Sequence, residues 1–572
     1  MRKKAFVGVL STAMVSSMLI FPNLTHASGK INLADEIEQS YRIKTLQKLE
    51  HIVDQGNSSS TSTTRMKSMS MAEQTNSQVT FANKISFSDE HLYKIHLTSG
   101  GTIHVTAPDT QSADIFYAII PVNAIDDPTY DPAGAYTDGD SLPAGDYYFV
   151  VGSASDTAQD YSFTVSGPAM VANTDLPNLS VTSPDKEDYR LSKTASGITV
   201  TGSATGASQT FYVVDMGDRN NFTGTSFNQT VSIPVGYHDL QIGAESSSGN
   251  MTIHDYAITH PGTIRLAGAN RYEVSANISK ENYPYGTDTV IVARGDLYTD
   301  ALSGGPLATF YGAPVLLTTT TSLPAPIATE IQRLHATHAI ILGGTGSVST
   351  NVENQLQQMG LNTERLDGAN RFEVSAKIGQ RLVNEAPTDT AIIASGLNFP
   401  DALSASSPAG QAFMPILQVS SNQVPAPIDS FIKNNHIKNF IIVGGPGTIS
   451  TAVEDKLKAY GGQVDRIGGS NRFEVGVNLI NYFYDPESGF MDPSTLVFAN
   501  GLNFPDALSG GPLAANIGAP ILLTQADKVD PTVKNFLEKT LPTMTSRDVI
   551  YILGGVGSVN TTVENYLKSI ID

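Results

Sequence analysis

The sequence predicts a multidomain chain in which sandwich-like all-β modules precede three tandem α/β repeats. Three observations carry this. First, one stretch is written three times: LAGANRYEVSANI (Leu266 to Ile278), LDGANRFEVSAKI (Leu366 to Ile378) and IGGSNRFEVGVNL (Ile467 to Leu479). A motif returning at a fixed period sets the architecture before any local reading. Second, three more blocks keep the same register. GDLYTDALSGGPLA from Gly295 returns as GLNFPDALSASSPA from Gly396 and GLNFPDALSGGPLA from Gly501; APVLL returns as MPILQ and APILL; ILGGTGSVS returns as IVGGPGTIS and ILGGVGSVN. Third, residues 78 to 260 hold only short alternating strands broken by Gly, Pro, Asn and Asp, the pattern of antiparallel β structure.

Taken in order, residues 1–27 carry Arg2, Lys3 and Lys4, an apolar run from Ala5 to Phe21 and a small-residue end at Ala27. That is a secretory signal peptide and is set apart from the fold. Residues 28–77 read as a helix followed by a flexible linker. Ile31, Leu33, Ile37, Tyr41, Leu46, Leu49, Ile52 and Val53 recur at roughly helical spacing with charge between them, and the stretch from Asn57 is rich in Ser, Thr and Met. Such an amphipathic helix packs on its own protein or a neighbour more readily than on a membrane.

Residues 78–168 form a first β-sandwich module, whose closing strands GDYYFVV and DYSFTVS resemble the end of bacterial pre-peptidase C-terminal domains. Asp126, Asp127, Asp131, Asp138 and Asp140 supply hard oxygen ligands of the kind Ca²⁺ takes, with a solvated acidic loop as the plainer alternative. A Pro- and Asn-containing connector from Ala169 to Leu179 opens the second β module, 169–260.

The repeats occupy 261–361, 362–462 and 463–572. In the second copy, TAIIAS, PILQV and NFIIVGG read as strands, and FPDALSASSPAGQAF, PAPIDSFIKNN and TAVEDKLKAYG as helices. Strands apolar on both faces and alternating with helices imply a covered parallel sheet. Thr350, Thr451 and Thr561, each followed three residues later by Glu, read as capping boxes. Asn270, Asn370 and Asn471 read as N-caps with Glu273, Glu373 and Glu474 reaching back. Arg271, Arg371 and Arg472 sit in a first helical turn, where the macrodipole disfavours a cation. They call for a partner: Asp300, Asp401 or Asp506, an acid of the next repeat, or an anion gathered by Arg and helix N–H groups together.

Charge and composition narrow the function. Net charge is −20, so a general affinity for nucleic acid or anionic membrane is disfavoured, and any anion is held locally. With no cysteine, the chain has no disulfide, no thiol catalysis and no thiolate metal site. Among the 11 His, only His335, His338 and His436 lie in the repeats and none recurs, while His91, His96 and His104 fall in strand-like stretches. No cofactor is expected.

The four blocks together resemble the type 2 cell-wall-binding repeat, three tandem copies of which occur on exported proteins of Gram-positive bacteria. The resemblance spans about 261–572. It implies Rossmann- or Toprim-like units in a pseudo-threefold array, retained non-covalently on an anionic secondary wall polymer or peptidoglycan. The matching positions are Asn270-Arg271, Asn370-Arg371 and Asn471-Arg472, with Asp300, Asp401 and Asp506. Two departures imply unequal sites: Tyr298-Thr299 replaces Phe-Pro in the first copy, and the second has PILQV and lacks Gly-Gly after Ser404. The reading is a secreted, non-catalytic surface protein displaying its β modules from the wall, with other wall proteins open as partners. A wall amidase or amidase modifier, which such repeats accompany, and an adhesin are the alternatives.

Overall fold

A computed structural model describes residues 76–572, apart from 109, 113, 123–135, 156, 216 and 486–489. The signal peptide, the amphipathic stretch 31–55 and nearly all of the linker lie outside the described residues. So do Asp126, Asp127 and Asp131. The described chain divides into two units, one up to His260 and one from Pro261 onward.

The first unit is all β. Its first eight strands are β1 (Asn76–Ile85), β2 (Asp89–Leu97), β3 (Gly101–Thr102), β4 (His104–Thr106), β5 (Ile115–Pro121), β6 (Ser141–Leu142), β7 (Gly145–Ser153) and β8 (Gln159–Ala172). The next eight are β9 (Asn178–Ser183), β10 (Asp188–Arg190), β11 (Ile198–Thr205), β12 (Gln209–Val214), β13 (Asn220–Asn221), β14 (Ser226–Val231), β15 (Gly236–Glu245) and β16 (Met251–His260). The stretches 78–168 and 169–260 share one eleven-stranded sheet, because β2 pairs antiparallel with β16, Leu92 opposite Met251. The expected connector is shorter than the sequence suggests: β8 continues through it to Ala172, and its last residues pair with β2. A three-stranded sheet, β14-β11-β9, faces β12, β15 and β16 across a core of Val200, Phe227, Leu240, Ile242 and Tyr256. A second core holds Phe81, Tyr93, Phe149 and Phe163.

The second unit is a closed ring of three α/β units. Unit one has β18 (Thr289–Arg294), β19 (Val315–Thr318), β20 (His338–Leu342) and β21 (Asn362–Leu366). Unit two has β22 (Thr390–Ser395), β23 (Ile416–Val419), β24 (Asn439–Val443) and β25 (Val464–Ile467). Unit three has β26 (Thr495–Asn500), β27 (Ile521–Thr524) and β28 (Val549–Leu553), and its fourth strand comes from the start of the ring, β17 (Gly262–Leu266). Each sheet is parallel with strand order 2-1-3-4. The fourth strand was not foreseen. NTERL and VDRI are polar edge strands without the apolar run of the other three, and each belongs to the sheet of the repeat before the motif that follows it.

The helices are α1 (Arg271–Asn282), α2 (Gly304–Phe310), α3 (Ala325–Leu334), α4 (Thr350–Gln358), α5 (Arg371–Glu385) and α6 (Pro400–Gln411). They continue as α7 (Ala426–Asn434), α8 (Thr451–Lys458), α9 (Arg472–Phe483), α10 (Pro505–Asn516), α11 (Pro531–Asn535) and α12 (Thr561–Ile570). Alternate residues of β18 face opposite cores: Ile291 and Ala293 turn to the shared interior, Val290 and Val292 to an outer layer under α3 and α4. This two-sided burial is why the strands read as continuous apolar runs.

Three equivalent helices, α2, α6 and α10, pack against one another at the centre. They touch through small residues in layers. A Cβ on Gly305 or Gly511 would lie 2.1 or 2.3 Å from Ser406 Oγ, so the first layer has room for one side chain. One turn on, a Cβ on Gly410 would meet Thr309 Oγ1 at 2.6 Å and Ala515 Cβ at 2.8 Å. The missing Gly-Gly after Ser404 is thereby explained: the second copy supplies the one serine that fills the layer its neighbours leave open. The capping boxes at Thr350, Thr451 and Thr561 are not formed. The N-caps lie one residue earlier, at Ser349, Ser450 and Asn560, which have extended backbone, and the box glutamates make the ion pairs described below.

Candidate functional site: three inter-unit clefts

The Asn-Arg motif opens α1, α5 and α9. Asn270 Oδ1 accepts from the backbone N–H of Tyr272 and Glu273 at 3.0 and 3.1 Å, and Asn370 and Asn471 repeat this. Glu273, Glu373 and Glu474 reach back one residue further than expected, accepting from the N–H of Ala269, Ala369 and Ser470. These asparagines and glutamates are helix caps.

The arginines form no close ion pair with any described carboxylate. Each guanidinium instead donates one Nη1 bond to the carbonyl that opens the loop after its unit's first strand: Arg271 to Gly295 O (2.6 Å), Arg371 to Gly396 O (2.5 Å) and Arg472 to Gly501 O (2.6 Å). A guanidinium carries five N–H donors, so the remainder of each fork is available from the protein's side. Each arginine also leans toward the preceding unit. Arg371 Cζ lies 6.0 Å from the Tyr298 ring and Arg472 Cζ 5.7 Å from that of Phe399.

The aspartates lie across that junction. Asp300, Asp401 and Asp506 are each 8% exposed, at the carboxyl ends of the strands, against the glycine turn that follows the third strand. Gly343, Gly444 and Gly554 adopt φ of 101°, 122° and 99°, and a Cβ there would lie 2.4, 2.8 and 2.3 Å from the Oδ2 atoms of these aspartates. Glycine is thus required by both conformation and space. Ser347 Oγ donates to Asp300 at 2.5 Å. Burial raises Asp401 to about 6, opposed by the charge of Arg472; burial likewise raises Asp506, opposed by Ser558 and then by Arg271. The electrostatic partners are therefore crosswise: Arg472 faces Asp401 and Arg271 faces Asp506, each the acid of the preceding unit around the ring rather than of its own repeat. Every cleft combines the turn and aspartate of one unit with the arginine of the next.

Two sets of residues went unassigned in the sequence. Tyr298, Phe399 and Phe504 converge on the centre with ring centroids 5.4 to 5.7 Å apart, a mutual edge-on cluster. Leu297, Leu397 and Leu502 are exposed in the loops beside it. A second arginine, six residues before each motif arginine, props up each turn. Arg365 donates to Gly343 O, Val348 O and Glu353; Arg466 donates to Gly444 O, Ile449 O and Glu454; Arg265 donates to Gly554 O and Glu564. The pattern R-[LI] before each motif was the available signal.

The expected inequality of the copies has a structural form. With Thr299 in place of proline, the first copy starts with a short 3-10 turn, Ala301–Ser303, before α2. Gln418, which stands where the other copies have leucine, donates to Thr299 O (2.9 Å) and Ser303 Oγ (3.1 Å), so the two departures meet at one junction. Of the calcium candidates, Asp138 accepts from Val105 N and Asp140 from Thr137 N, and no group of three or more metal-ligating side chains occurs among the described residues.

Comparison with known proteins agrees with this geometry. Residues 265–353, 365–454 and 466–564 match cell wall binding domain 2. The ring is three cell wall binding domain 2 repeats. The chain is 30% identical over 305 residues to N-acetylmuramoyl-L-alanine amidase LytC of Bacillus subtilis, covering 53% of this chain and 58% of that protein. It is also 30% identical over 330 residues to the amidase enhancer of the same organism, covering 57% of this chain and 43% of that one. The chain thus spans about half the length of the curated relatives it matches. Cwp6 from Clostridium difficile shares the fold with a TM-score of 0.53 and 21% identity, over 69% of this chain and 68% of that one.

Proposed function

We propose that the repeats hold this protein non-covalently on an anionic polymer of the cell wall, with the β unit displayed and no catalytic step of its own. The observation that carries the reading is the threefold recurrence of one cleft, in which a half-buried guanidinium, fixed by a single carbonyl, keeps most of its donors unused. An order of strands 2-1-3-4 reverses between strands one and three, the place where open α/β sheets bind ligands beyond their carboxyl ends. Asp300, Asp401 and Asp506 stand at that reversal, which favours the Rossmann-like description of the unit. Three modest sites on one rigid ring engage a repeating polymer far more tightly than any one alone.

The test is sedimentation of residues 28–572 with purified sacculi, intact and stripped of secondary polymer, beside the triple variant Arg271→Ala, Arg371→Ala, Arg472→Ala. The wild-type chain is expected to pellet only with intact walls, and the folded variant to lose more than about tenfold in affinity. Equal retention of a folded triple variant would remove the arginines from the site. The names of the curated relatives keep a role beside an amidase as a second reading, tested by clearing of sacculi with and without a purified amidase.

A further inference from the structure

The residue that follows each arginine-bound glycine differs between the copies. After Gly396 and Gly501 it is leucine, Leu397 and Leu502, but after Gly295 it is Asp296. This position borders the cleft, because the motif arginine both holds the glycine carbonyl and packs along the glycine itself. A Cβ on Gly295, Gly396 or Gly501 would lie 3.3, 3.2 or 3.4 Å from the arginine Cδ. Leu397 is 49% and Leu502 61% exposed, so each offers an apolar patch to a ligand beside its guanidinium.

The residue before the glycine changes in step. Ser395 Oγ and Asn500 Oδ1 accept from the N–H of Leu397 and Leu502 at 3.1 and 2.7 Å. In the first copy Arg294 stands there and spends Nε and Nη2 on the Asp296 carboxylate, at 2.5 and 3.0 Å. The pair is neutral as a whole, yet the Asp296 side chain is half exposed. The bonds from Arg294, with a smaller share from the charge of Arg271, hold its carboxyl below the ordinary value. An anion approaching Arg271 therefore meets an ionised carboxylate, whereas one approaching Arg371 or Arg472 meets leucine. Like charges brought together oppose binding.

We propose that Asp296 makes the Arg271 cleft the weak one, and that the ring holds an anionic polymer mainly through Arg371 and Arg472, each reading an acidic group beside the apolar face of a sugar unit. This rests on the reading of the arginine clefts as polymer sites. A guanidinium fork takes a phosphate or carboxylate oxygen pair in parallel bonds. The neighbouring leucine covers the C–H surface next to that group and adds no competing charge. Both strong clefts border unit two, one at its junction with unit one and the other at its junction with unit three, so the path of the polymer crosses that unit. The weak cleft lies at the junction that β17 closes.

Sedimentation of residues 28–572 with intact sacculi tests this, using the double variant Arg294→Ser, Asp296→Leu. It gives the first copy the Ser-Gly-Leu of the second and leaves net charge unchanged. The variant is expected to bind about threefold more tightly, the size of one exposed charge interaction, and Arg271→Ala in that background to remove the gain. The reverse change, Leu397→Asp, is expected to weaken binding about threefold. Should the double variant melt early, Leu397→Asp and Leu502→Asp, both at exposed positions, carry the test. A folded double variant that gains nothing, a gain that survives Arg271→Ala, or unaltered binding of the two leucine variants overturns the proposal. The triple arginine variant keeps two failures apart. If it binds like wild type, the clefts are not polymer sites; if it loses binding while the double variant gains nothing, only the role of Asp296 falls.

Discussion

Gly410 is the sharpest test of the central packing. It lies inside α6, where replacing an exposed glycine with a better helix former stabilises by a few tenths to about 1 kcal/mol. Its place on the axis reverses that expectation. The nearest neighbours of an added Cβ are Ala515 Cβ at 2.8 Å, which has no rotamer to move to, and Thr309 Oγ1 at 2.6 Å. Gly410→Val adds two further methyl groups in the same space. Overpacking of this kind costs about 1–3 kcal/mol, and with a small gain in propensity the net loss is about 2 kcal/mol. For a ring spanning residues 261–572, whose unfolding entropy is about 2.1 cal/mol/K per residue, that lowers the melting point by about 3 °C. Scanning calorimetry of residues 28–572 reads it, since the ring and the β unit are separate bodies; the ring transition should move and the other stay. Ala515→Gly in the same chain should recover part of the loss, because it removes the fixed carbon. If Gly410→Val is neutral or stabilising, or Ala515→Gly adds its own cost without rescue, the three helices do not meet as described.

Arg265→Ala removes the bonds to Gly554 O and Glu564 that tie the first strand of the ring to its last unit, and is expected to cost about 1–2 kcal/mol. The loss should show as faster amide exchange in β17 and α12 and leave β18–β20 unchanged; uniform loosening would contradict the closure. Stability of the ring should also depend on pH through Asp401. Its folded carboxyl holds a proton up to about 6, above the ordinary value of 3.8, so its contribution is complete below about pH 4 and is lost as pH rises through 6. The full swing is about 3 kcal/mol. Asp401→Asn should flatten the ring's melting point between pH 5 and 7.5, and an unchanged slope in that variant would place the titration elsewhere.

What the sequence disclosed follows from what repeats and periodicity encode. The buried strands and their helices were legible because apolar runs with glycine, proline and capping signals are local. TAIIAS, PILQV and NFIIV occupy the strands expected of them. The fourth strand was hidden because an edge strand shows polar residues, and its assignment to the preceding unit depends on pairing some twenty residues away. The Asn-Arg helix starts were legible as caps, but the direction in which each arginine faces is a property of the junction between units, which no single repeat contains. Arg365 escaped notice for a related reason: its partners, Gly343 O and Glu353, are a turn carbonyl and a residue whose spacing imitates a capping box. In the β unit, strands read correctly while the division into two modules did not reveal the β2–β16 pairing that joins them, because that bond spans more than 150 residues.

The strand that completes the last unit has a mechanical meaning. The β unit joins the ring through Pro261, directly ahead of β17. β17 runs parallel to β28 over five paired residues, from Gly262 opposite Val549 to Leu266 opposite Leu553, with Arg265 latched to α12. A pull on Gly262 along the strand loads these bonds together in shear, where unzipping from an end would break them singly. The point where the two units join is thus also a clasp: a pull transmitted through Pro261 is borne first by the joint that closes the ring, before any of the three α/β units is strained on its own.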